Sequence, residues 1–145
     1  MRLPKPKAAF YWCASCGGCE EALIDLAEDF LSVAEAFDFV FWPAAMDYKL
    51  QDLEALPDGG ITVSFINGGI RTSEQEYHAK LMRRKSSLVV AFGSCAHLGG
   101  VPGLANFIKR SDIFNYVYHN APSVVNPEND EPREQTMMAQ ETLSL

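Results

Sequence analysis

The stretch AAFYWCASCGGCEEALIDLAEDFL, residues 8–31, decides the reading of the fold. It opens with an apolar and aromatic run, residues 8–13, short enough to be a buried strand. Gly17 and Gly18 then break the pattern. From Glu20 onward Leu23, Leu26, Ala27, Phe30, Leu31 and Ala34 recur at spacings of three and four, which predicts one amphipathic helix. Glu20, Glu21 and Asp25 stand in its first turns, where the helix dipole favours negative charge. A strand running through a glycine loop into a helix is half of a βαβ unit.

The same pattern repeats downstream. FDFVFW (37–42) is a second strand, stopped by Pro43, and ITVSFI (61–66) is a third, followed by Asn67, Gly68 and Gly69. Between them a turn or so of helix is expected around residues 51–56. Thr72 or Ser73 caps a helix running to about residue 85, with Leu81 and Met82 inside and Arg83, Arg84 and Lys85 at its C-terminal end. LVVAF (88–92) is the fourth strand, leading into Gly93, Ser94 and Cys95 and then a short helix over 103–109. Strands alternating with helices predict a three-layer α/β domain built on a parallel sheet. The expected domain covers residues 1–120, and residues 121–145, with three prolines and no periodicity, read as an irregular C-terminal extension.

Composition narrows the class of function. The 145 residues suit one domain and exclude two large ones, at roughly 100–200 residues per domain. Twelve Lys and Arg against nineteen Asp and Glu give a net charge of −7, which disfavours nucleic acid as a partner. No apolar run approaches the roughly 20 residues of a membrane span, and the N-terminal residues lack a signal-peptide core, so a cytoplasmic location is expected.

Three of the four cysteines, Cys13, Cys16 and Cys19, lie within seven residues, and the fourth is Cys95. In a reducing compartment such crowding points to metal or redox chemistry. Thiolates two residues apart can turn toward one centre while a remote loop closes the shell, which fits an iron–sulfur cluster, structural zinc, or reactive or buried thiols. Zinc ribbons bring a second close pair, so the single distal cysteine leans toward iron–sulfur. Both cysteine segments follow strands and therefore belong on one edge of the sheet, where ligands of such folds collect.

The neighbours of the cysteines are less specific. Gly17 and Gly18 would let backbone amides approach an inorganic core, or simply make a strand–helix turn. Glu20 and Glu21 read first as ordinary acids of a first helical turn, with assistance to proton movement or partner contact beside the centre as the alternative. His97 is a candidate for a hydrogen bond to sulfur, whereas His78 and His119 read as surface residues. Arg71 would neutralise cluster charge or pair at the surface. Phe10, Tyr11, Trp12, Phe39, Phe41 and Trp42 read as core.

Three motifs in order, CASCGGCEEALIDL (13–26), FINGGIRTSEQE (65–76) and VAFGSCAHLGGVPGLAN (90–106), carry a resemblance that spans residues 8 to about 125. The chain resembles the small, iron–sulfur subunit of [NiFe] hydrogenases. It is most similar to the F420-non-reducing, methyl-viologen-reducing type associated with heterodisulfide reductase, and the 20 kDa subunit of NADH:quinone oxidoreductase shares the superfamily. The resemblance implies a flavodoxin-like domain holding a [4Fe–4S] cluster, which passes electrons between a large catalytic subunit and a downstream iron–sulfur or flavin carrier. Its matched ligands are Cys16, Cys19 and Cys95. A fourth ligand, in a later C-P-x-x-P-like motif, does not occur before Leu145, so the sequence reads as a piece of a longer subunit, with Cys13 as the other candidate thiolate. Asn67 stands where many small subunits carry an acid, and Gly100 where close relatives carry a cysteine. A flavin-binding carrier and a zinc-stabilised interaction module are the competing functions.

Overall fold

In a computed structural model, residues 4–132 are described. They form compact units divided between Leu104 and Ala105, a boundary that falls inside a 3-10 helix, Pro102–Phe107. The first unit carries β1 (Lys7–Trp12), α1 (Gly18–Ile24), α2 (Asp29–Ala36), β2 (Asp38–Phe41), α3 (Leu50–Ala55), β3 (Ile61–Asn67), α4 (Ser73–Lys85), β4 (Ser86–Phe92) and α5 (Ser94–Leu98). The second carries α6 (Arg110–Asn115), a π-helical turn (Tyr116–Asn120) and the turns that follow it up to residue 132. Residues 133–145, most of the expected C-terminal extension, lie outside the described residues.

The four strands make one sheet in the order β2-β1-β3-β4, every pair parallel. The α/β class and parallel sheet expected from the sequence are therefore those observed. Parallel pairing puts the ends of β1, β3 and β4 at one level: Trp12 is in register with Asn67, and Asn67 with Phe92. The chain reverses direction of strand addition between β1 and β3, and a crevice opens beyond the strand ends at such a switch point.

The two faces of the sheet bury different chemistry. On one, Phe10 stacks on Trp42 and Phe65 at centroid separations of 4.5 and 4.7 Å, and Phe30 and Phe39 pack at the rim. On the other, Ala9, Phe41, Leu53, Ile61, Leu81 and Met82 form an aliphatic core. α4 starts where the sequence says it should. The Thr72 hydroxyl accepts from the Gln75 N–H, and the Gln75 side chain accepts from the Thr72 N–H, a complete capping box.

Several expectations are corrected. The single helix from Glu20 to Ala34 is two, α1 and α2, separated at residues 25–28, where Ala27 takes φ 50°. The i,i+4 pairs Glu21–Asp25 and Asp25–Asp29 set like charges one turn apart, which opposes a continuous helix. Bonds from Ala27 N–H to the Ile24 carbonyl and from Phe30 N–H to the Ala27 carbonyl turn the chain instead. In consequence Leu26 and Leu31 are exposed rather than inside. Trp12 is also half-exposed, lying over Gly17 at the crevice rather than in the core. His78 is buried rather than on the surface, its ring stacked on Tyr11 and its Nδ1 shared by the Tyr11 hydroxyl and the Glu74 carbonyl. No helix of the described residues is long and apolar enough to cross a membrane.

Removing the central ring tests this packing. Phe10→Ala lowers the free energy of unfolding by about 4 kcal/mol in a urea titration. Leu31→Ala, at a position 65% exposed, changes it by less than about 0.5 kcal/mol.

Candidate functional site

The crevice is built by three loops leaving the strand ends at the same level. The first, residues 13–17, is tied to the second, residues 68–72, by backbone pairing. The Cys13 N–H donates to the Asn67 carbonyl at 2.9 Å, and Ala14 and Gly69 exchange N–H···O bonds of 3.0 and 2.9 Å. The approach is so close that a Cβ on Gly68, which has φ 86°, would lie 2.7 Å from the Ala14 carbonyl. Within the first loop the Trp12 indole donates to the Ser15 carbonyl, and the Gly17 N–H to the Ser15 hydroxyl.

The third loop leaves β4 at Gly93 and presses on the first turn of α1, which follows the first loop. A Cβ placed on Gly93 would lie 2.1 Å from Cys19 Sγ, and φ at Gly93 is 86°, so only glycine serves here. Just beyond α5, a Cβ on Gly100 would stand 3.2 Å from Cys95 Sγ. The remote cysteine loop and the early cysteine loop therefore meet across the sheet edge. Burial raises the Cys19 thiol above its ordinary value, and the negative charges of Cys16, Cys95 and Glu20 raise it further. Cys19 thus stands within electrostatic reach of both Cys16 and Cys95, with Cys16 exposed and the other two partly covered.

Cys13 belongs to different surroundings. It is buried at the end of β1, near Tyr11, and burial raises its thiol. Burial first, then Cys13 and Glu74, push the Tyr11 phenol up to about 12. Of the two glycines, Gly17 (φ 90°) carries the turn into α1 under the Trp12 ring, and Gly18 faces the Cys16 sulfur, 3.6 Å from the position of a Cβ. His97 is exposed on α5. Arg71 is exposed, with its N–H bonded to the Gln75 side chain and no ion pair among the described residues.

Glu20 is the residue whose place the sequence did not reveal. It is 5% exposed, and both carboxylate oxygens accept hydrogen bonds of 2.8 Å, one from the Trp42 indole and one from the Asn67 side-chain amide. Acids in a first helical turn are common enough that nothing in the local pattern marks this one. The second donor explains why position 67 is an amide. Asn67 Nδ2 faces the Glu20 carboxylate and, at 3.4 Å, the Tyr11 carbonyl, while its buried Oδ1 has no partner. An acid at 67 would set acceptor against acceptor.

Among the described residues no three His, Cys, Asp or Glu side chains are grouped as the ligands of one metal ion. A polynuclear core, whose separate irons each take one thiolate, spreads its sulfur ligands more widely than a single ion does. The donor set of the crevice, three thiols from two loops with glycine where the loops touch, suits the wider group.

A family model described as NADH ubiquinone oxidoreductase, 20 kDa subunit, matches residues 16–136. The chain belongs to that family. Among curated relatives of this 20 kDa subunit family, the iron–sulfur subunit of F420-non-reducing hydrogenase from Archaeoglobus profundus is 43% identical over 128 residues, which are 88% of this chain and 40% of that protein. A subunit of the vhu F420-non-reducing hydrogenase from Methanocaldococcus jannaschii is 39% identical over 71% of this chain and 34% of its own length. The chain thus spans about two fifths or less of these relatives. A crystal structure of NAD+-reducing [NiFe]-hydrogenase in the H2-reduced state contains a chain that superimposes with a TM-score of 0.73 and 25% identity, covering 90% of this chain and 68% of that one.

The amide at 67 has a measurable consequence. Asn67→Asp places a second carboxylate against Glu20 inside the protein and lowers unfolding free energy by roughly 3 kcal/mol at pH 7. A urea titration at pH 7 checks it.

Proposed function

We propose that this chain is the electron-transferring part of a [NiFe]-hydrogenase-like oxidoreductase, and that Cys16, Cys19 and Cys95 ligate an iron–sulfur cluster of the [4Fe–4S] type. The observation that carries the reading is the contact of the β4–α5 loop with the Cys19 sulfur, made possible by Gly93. It joins a cysteine 76 positions away in the chain to the early pair, which no turn chemistry requires. Family membership and the named hydrogenase relatives support the same assignment.

A [4Fe–4S] cluster bound at this edge supplies one-electron transfer between a large catalytic subunit and further iron–sulfur or flavin carriers, heterodisulfide reductase among them. The chain's own residues do the rest. The parallel strands start the two cysteine-bearing segments at one level, which supports a shared centre. Gly18 leaves room beside the Cys16 sulfur, and Trp12 over Gly17 covers one side of the loop. Cys13 is left out of the ligand set, because it is buried beside Tyr11 at the end of β1.

A partner surface adjoins the thiols. Leu98, Val101 and Leu104, on the stretch that follows Cys95, are 76%, 81% and 62% exposed. Apolar residues clustered beside a redox centre suit burial against a second subunit, which also keeps solvent from the cluster.

Iron and acid-labile sulfide analysis of the anaerobically purified complex tests the ligand assignment. Replacing Cys16, Cys19 or Cys95 by serine removes about four iron and four sulfide per complex relative to the wild type. Cys13→Ser leaves both unchanged. Full iron in the Cys95→Ser protein contradicts the assignment.

A further inference from the structure

We propose that Glu20 is a positioning residue that clamps the Cys16–Cys19 loop to two strands and lowers the reduction potential of the cluster bound there. The proposal rests on the reading of the three thiols as cluster ligands.

Glu20 follows Cys19 directly and lies in the first turn of α1. Its two hydrogen-bond donors come from different strands. Trp42 stands just beyond β2, and Asn67 ends β3, so one carboxylate joins the cysteine-bearing turn to the sheet on both sides of β1. Cys19 cannot move without breaking these bonds or moving those strand ends.

The same geometry leaves a charge in place. Both donors are neutral N–H groups, and no ion pair to Glu20 exists among the described residues. The carboxylate lines a pocket of about 420 Å³ whose other charged walls, Glu21 and Asp25, are also acidic. A buried charge without a counterion is poorly screened and acts strongly on its neighbours. Each electron taken up by a thiolate-bound cluster adds one negative charge, so a fixed carboxylate alongside disfavours reduction. Asn67 fits this role because it binds the carboxylate without neutralising it, whereas an acid at that position would expel it.

The experiment is an EPR-monitored redox titration of the purified complex, following the signal that is lost in the Cys95→Ser protein, together with its iron content. Glu20→Gln retains the iron and makes the reduction equilibrium at least about tenfold more favourable, a positive shift of ~59 mV for a one-electron couple. Trp42→Phe keeps the charge but removes one N–H that offsets it, and shifts the potential the opposite way. A purely structural role does not produce shifts of opposite sign. An unmoved potential in a Glu20→Gln complex with full iron overturns the proposal while leaving the cluster assignment intact. If Glu20→Gln fails to hold iron, Trp42→Phe decides: a lower potential supports the proposal and an unmoved one overturns it. A wild-type complex whose iron is untouched by Cys95→Ser overturns the cluster assignment and this proposal with it.

Discussion

The shared level of three strand ends is the constraint on which the site depends. Because β1, β3 and β4 are parallel and in register at Trp12, Asn67 and Phe92, the loops that leave them start side by side and have little choice of direction. The backbone of Gly93 then rests on the Cys19 sulfur, and the bridge between Ala14 and Gly69 fixes the early loop against the middle one. Any side chain at 93 would drive the two cysteine loops apart. Sheet geometry is what brings the two cysteine-bearing segments to one edge.

Polar groups at the same edge complete the arrangement at some cost. Glu20 is a carboxylate only 5% exposed at the wall of a pocket, and Asn67 is buried with one oxygen unpartnered. Groups left in this condition are expensive, by about 1–3 kcal/mol for an unmet hydrogen bond, and they persist where the surroundings over-determine them. Here the aromatic layer of Phe10, Phe39 and Trp42 holds the indole donor rigidly, so the carboxylate has one place to go. The core that stabilises the domain is also the support of the turn that carries Cys19.

Much of this was legible in the sequence. Unbroken apolar runs ending in glycine loops gave the strands and their parallel pairing, since only a sheet covered on both faces needs them. The cysteine segments 13–19 and 95 stood out because each follows a strand, while the choice of Cys16, Cys19 and Cys95 among them came from the resemblance to hydrogenase small subunits. What local pattern could not carry was interaction between elements. The acids at 21, 25 and 29 look favourable one by one near a helix start, yet together they break the helix. His78 looks solvated until the Tyr11 ring, 67 residues away, is seen stacked on it. Glu20 is indistinguishable from Glu21 in sequence, and only the positions of Trp42 and Asn67 separate a buried clamp from an exposed acid.

The most direct measurement is a crystal structure of the complete complex with anomalous data collected at the iron absorption edge. The account predicts a compact group of iron peaks within bonding distance of the sulfurs of Cys16, Cys19 and Cys95, with Cys13 turned away toward Tyr11. Iron peaks that leave the Cys95 sulfur unbonded, or a Cys95 loop withdrawn from Cys19, would contradict it.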